Sequence, residues 1–86
     1  MTTLQEQFEQ AQKDVKTLTT RPSNEDLLSI YGYFKQATEG DNDTKKPGIF
    51  DIKGQFKWEA WNTLKGKSAD EAMQGYISIV NRLLGK

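Results

Sequence analysis

SADEAMQGYISIVNRLLG, residues 68–85, carries the clearest structural signal in the chain. Ala69, Ala72, Met73, Tyr76, Ile77, Val80 and the pair Leu83/Leu84 recur every three or four residues, which puts them on one helical face. Ser68 and Glu71 form a capping box at its start, and Gly85 follows its end. Upstream the pattern repeats. Leu4, Phe8, Ala11, Val15 and Leu18 form one stripe behind a second capping box, Thr3/Glu6. This helix is expected to end at Arg21-Pro22, because a residue before proline avoids the helical region. Ser23 reads as the next N-cap, with Glu25 and Asp26 in the first turn and Leu27, Ile30, Tyr31, Phe34 and Ala37 along the face. Gly40 is expected to stop it.

GDNDTKKPG, residues 40–48, is a polar loop rich in turn formers. Its length leaves room for function, although plain linker is the favoured reading for most of it. Asp51 is expected to cap a third, shorter helix whose stripe is Phe56, Ala60, Trp61 and Leu64, ending at Gly66. Gly54 weakens its first turn. Strand alternation and internal repeats are absent. The expectation is a single all-α domain of four helices over residues 1–86.

A chain of 86 residues buries only roughly 60–65% of its unfolded surface. Its core is thin, so a ligand must use a groove or share the core. There is no Cys and no His, which removes disulfides, thiolate sites, the commonest general base and the commonest metal ligand. That closes off most nucleophilic and zinc chemistry; carboxylate or lysine catalysis is left in principle, and no enzyme activity is expected. No apolar run approaches the roughly 18 residues of a membrane span, and MTTLQEQFEQ is unlike a signal peptide. A soluble cytoplasmic protein without stable membrane insertion is expected. Net charge is zero, which argues against a nucleic-acid partner. Yet residues 44–86 hold eight Lys/Arg and four Asp/Glu, the reverse of residues 1–43, and that suits a small anionic partner.

Tyr31 and Lys35 lie one turn apart, with Phe34 beside them. A phenol and an ammonium bordered by rings suit a phosphate attached to a flat base. Spacing alone favours a blander reading, with Tyr31 and Phe34 in the core and Lys35 lying across them. Lys53 and Lys57 are another one-turn pair beside Trp58 and Trp61. Two such cations either flank an anion or form a solvated basic edge, and spacing favours the edge. Tyr76 fits the core stripe, and Lys16 alone is an ordinary surface lysine. Asp41 and Asp43 do not continue into a calcium loop, and the glycines match no phosphate-binding fingerprint.

Taken together, YGYFKQAT (31–38), Gly40-Asp41, KPGIFD (46–51), KWEAWN (57–62), Leu64-Lys-Gly66 and Ala72 through Tyr76-Ile77 resemble the acyl-CoA-binding protein family. The resemblance covers nearly the whole chain. It implies an up-down-down-up four-helix bundle with the ligand in a bowl between the second helix and the others. It implies binding of medium- and long-chain fatty acyl-CoA by an intracellular carrier and pool former, with no cofactor. A monomer is implied, with only transient contacts to acyl-CoA-using enzymes or membranes. By resemblance, Tyr31, Lys35, Lys57 and Tyr76 match the residues that hold the ribose 3′-phosphate and adenine. Lys16 and Lys53 match further basic contacts, and Leu27 matches a cover for the acyl chain. Phe34 departs from the family, where tyrosine is common, so the ring is kept and a hydroxyl is lost. The competing reading of the same helices is a protein-interaction module.

Overall fold

Side-chain caps set all four helix starts as the sequence implies. The structure is a computed structural model and describes residues 2–86. Helix α1 spans Leu4–Asp14, α2 Asn24–Glu39, α3 Ile52–Asn62 and α4 Ala69–Leu84. Thr3 and Ser68 each close a reciprocal capping box with Glu6 and Glu71. The backbone N–H of Ser68, and then its hydroxyl, hold the Glu71 carboxyl below its ordinary value. Ser23 Oγ accepts from the Asp26 N–H at 3.1 Å, and Asp51 Oδ1 accepts from the Gly54 N–H at 2.9 Å. Gly40, Gly66 and Gly85 all take positive φ where helices or their trailing turns end.

Two boundaries differ from expectation. The α1 stripe does not stay α-helical to Leu18. Val15–Thr17 tightens into a 3-10 turn and Leu18 is extended. Thr17 Oγ1 donates to the Asp14 carbonyl at 2.7 Å, a local bond that competes with the helical ladder. Likewise α3 ends at Asn62, and a turn carries the chain on to Gly66.

The main packing pairs are α2 with α4, α2 with α3 and α1 with α4. The Cα atoms fill a slab of 43 × 29 × 14 Å. The buried cluster is Phe8 and Ala11 from α1 with Tyr76 and Val80 from α4. Phe8 and Tyr76 meet edge to face, with centroids 5.0 Å apart. Ile30, Tyr33 and Ala37 of α2 pack on it from the side. At Gly32 the backbones of α2 and α3 touch: a Cβ there would lie 2.6 Å from the Ala60 carbonyl oxygen. The helix propensity lost at Gly32 therefore permits close packing. Arg82 pairs with Asp26 at 2.6 Å and ties the end of α4 to the start of α2. Among the described residues no helix is long and apolar enough to cross a membrane.

Candidate functional site

Because α3 packs mainly on α2, the outer turns of both helices stand apart and leave an open groove of about 630 Å³. Leu27 and Leu28 of α2 and Ile52 and Phe56 of α3 supply its apolar surface. Arg21, Tyr31, Lys53 and Lys57 supply its polar side, with Asn24 and Glu25 at the rim. The Lys57 ammonium lies 5.6 Å from the centroid of the Tyr31 ring. That cation–π contact joins α3 to α2 at the basic side of the groove. One opening thus presents hydrocarbon, a phenol and cations, which is what an anionic amphiphile requires.

Of the residues expected at a site, Leu27, Tyr31, Lys53 and Lys57 line this groove. Lys35 sits one turn beyond Tyr31, where its ammonium donates to the Glu39 carboxylate and lies 4.9 Å from the centroid of Trp61. The bond to Glu39 holds the Lys35 ammonium above its ordinary value of 10.5, partial burial opposes this, and the charges of Glu39 and Tyr31 add to the rise. Phe34 is 37% exposed and tilts against Phe8 at 6.2 Å. Tyr76 is buried in the α1–α4 core, and loss of water pushes its phenol up from 10.0. Lys16 is exposed in the 3-10 turn after α1. Lys35, Phe34, Tyr76 and Lys16 are not part of the groove lining.

Phe56 is a correction. The spacing places it on the apolar stripe of α3 with Trp61, yet it is 55% exposed. It belongs with Ile52, one turn earlier, on the face turned toward the groove. Trp61 is the buried residue of that stripe. Sequence reasoning passed over Arg21, Leu28 and Ile52. The available signal was an apolar i, i+4 pair, Ile52/Phe56, placed one residue ahead of the basic pair Lys53/Lys57.

The 40–48 loop is more than a linker. Trp61 Nε1 donates to the Gly40 carbonyl at 2.8 Å and Trp58 Nε1 to that of Thr44 at 3.0 Å. Asn42 is buried, donating to the Trp58 carbonyl and accepting from the backbone and hydroxyl of Thr44. Asp41 accepts from Gln36 Nε2 and the Gly66 N–H, both at 2.8 Å. The Gly66 bond and then the Gln36 bond hold its carboxyl below the ordinary 3.8. These contacts tie the loop to the second half of α3 and to the turn that follows it.

Four helices beside one amphipathic opening define a small helical protein with an open groove between two of its helices. The sequence model of the family described as "Acyl CoA binding protein" matches residues 5–80. An acyl-CoA-binding protein homolog of Drosophila melanogaster is 56% identical over 81 residues, covering 94% of each chain. The acyl-CoA-binding protein of Saccharomyces cerevisiae is 52% identical, over 92% of this chain and 91% of the relative. The crystal structure of Oryza sativa acyl-CoA-binding protein 2 superposes with a TM-score of 0.91 at 50% identity, covering 95% of this chain and 89% of that one. The chain belongs to the acyl-CoA-binding protein family.

Proposed function

We propose that this protein binds medium- and long-chain fatty acyl-CoA esters in the α2–α3 groove and carries them without reacting with them, as a monomeric cytoplasmic pool former. The observation that carries this reading is the pairing of one hydrocarbon surface with Tyr31, Lys53, Lys57 and Arg21 in a single opening. Relatives named as acyl-CoA-binding proteins support the ligand class. The acyl chain lies on Leu27, Leu28, Ile52 and Phe56. Each methylene withdrawn from water contributes about 0.8 kcal/mol, so affinity rises steeply with chain length. Lys57 and Lys53 take the phosphates, and Tyr31 donates a hydrogen bond from its hydroxyl. Lys35 joins them once its ammonium turns from Glu39. Phe34, Tyr76 and Lys16 complete the base end, by resemblance to the family. The absence of His and Cys favours carriage over turnover.

Calorimetry with palmitoyl-CoA, free palmitate and free CoA tests the assignment. Palmitoyl-CoA is expected to bind much more tightly than either fragment. Equal binding of palmitate and palmitoyl-CoA would overturn it. Phe34→Tyr is expected to retain binding.

A further inference from the structure

Tyr31, Lys35 and Glu39 follow one another at single-turn spacing along one face of α2. Tyr31 lines the groove and Lys35 does not. A long side chain on a helix leans by its own geometry toward the helix N-terminus, which here means toward Tyr31 and the groove. The Lys35 ammonium reaches the other way. It donates to the Glu39 carboxylate and lies 4.9 Å from the centroid of the Trp61 ring. That ring is itself held in place, because its Nε1 donates to the Gly40 carbonyl.

The helix does nothing to favour Glu39. It is the last residue of α2, at the negative end of the helix dipole, where a carboxylate is disfavoured and where the last turn holds no basic residue. Among the described residues its one ion-pair partner is Lys35. Lysine first and glutamate four residues later is also the weaker of the two orders for such a pair. The contact can direct the ammonium, yet a more highly charged phosphate can displace it. Once displaced, Glu39 has no counter-ion and stands one turn from an ammonium that a polyanion holds. The resulting repulsion works against the bound state.

We propose that Glu39 is a built-in competitor for Lys35: it keeps the ammonium out of the groove in the empty protein, lowers the affinity for an anionic head group and speeds its release. This rests on acyl-CoA occupying the α2–α3 groove with Lys35 on a phosphate. As the phosphate leaves, the carboxylate recaptures the ammonium, so the empty state is stabilised at the moment of release.

The test compares the native protein with Glu39→Gln, Lys35→Ala and the double variant. In the unliganded protein the titration of the Lys35 side-chain amine, followed by NMR, is expected to move to lower pH in Glu39→Gln, because the carboxylate holds that ammonium up. A titration that does not move overturns the proposal whatever the ligand. Calorimetry is expected to show palmitoyl-CoA bound about threefold more tightly by Glu39→Gln, with most of the gain in slower dissociation by stopped flow. In the Lys35→Ala background the same change is expected to gain less than about 1.5-fold. Equal gains in the two backgrounds overturn the proposal, since Glu39 would then act only through its charge on the ligand. Unchanged affinity in Glu39→Gln, with palmitoyl-CoA still bound by the native protein, overturns it and leaves the ligand assignment standing. Failure of the native protein to bind palmitoyl-CoA overturns both.

Discussion

Gly32 sets how closely α2 and α3 approach, and its replacement separates two opposing effects. Alanine would gain about 1 kcal/mol of helix propensity. Its Cβ would also press into the Ala60 carbonyl carbon and oxygen, at 2.9 and 2.6 Å. Overpacking of this kind costs about 1–3 kcal/mol, and the obstacle here is backbone, which yields little. Gly32→Ala is therefore expected to lower the urea midpoint, and an unchanged or higher midpoint would show that the helices separate freely. Lys57 poses the converse case, because it is exposed and its contact with the Tyr31 ring adds no more than about 0.5–1 kcal/mol to folding. Lys57→Ala is expected to weaken palmitoyl-CoA about fivefold, or about 1 kcal/mol, with stability lowered by no more than that contact. Unaltered affinity in calorimetry removes Lys57 from the site. Tyr76 gives a pH signature. Its folded pKa is raised by burial, so the neutral phenol stabilises the fold fully below about pH 10 and that contribution is lost as pH rises through the higher folded value. The chemical-denaturation midpoint is expected to fall above pH 10, and less steeply in Tyr76→Phe.

Among the elements, α3 depends most on groups outside itself. It packs chiefly on α2, and its second half is tied by indole bonds from Trp58 and Trp61 to the 40–48 loop. Trp61→Phe leaves the Gly40 carbonyl without its donor and is expected to cost about 1–3 kcal/mol. Trp58→Phe, at a more exposed bond, is expected to cost less, and equal losses by urea denaturation would contradict this ranking. Asp41 bridges α2 to the turn before α4 through Gln36 and Gly66. Its folded pKa is lowered, so its contribution is present above 3.8 and is lost as pH falls through the lower folded value. Native protein and Asp41→Asn are expected to differ in midpoint at neutral pH and to converge in acid. What was legible in the sequence divides along the same line. Capping boxes and the α4 stripe are local, so Thr3, Ser23, Asp51 and Ser68 could be read directly. The early end of α1, the outward turn of Phe56 and the burial of Asn42 depend on which element packs where. Periodicity at Phe56 is the same whether that face meets a helix or a groove.

The described residues form a slab with a Cα thickness of 14 Å, and that thinness bears on the proposed mode of binding. There is no second layer in which to enclose a ligand, which suits the proposed site, an open groove at the α2–α3 edge. Its composition was partly legible, since Tyr31, Lys53 and Lys57 stand out as one-turn pairs. Its position was not, because α2 and α3 meet through Gly32 and Ala60, which carry no chemistry of their own. The packing order has one more consequence. Helices α2 and α4 form the central pair, while α1 leans mainly on α4 and α3 mainly on α2. Each flanking helix has one main neighbour, so each is expected to open before the central pair does. In deuterium, the amides of α2 and α4 should then exchange last, with α1 and α3 exchanging earlier at two separate rates. A ligand seated in the groove should slow the α3 clock and leave that of α1 running.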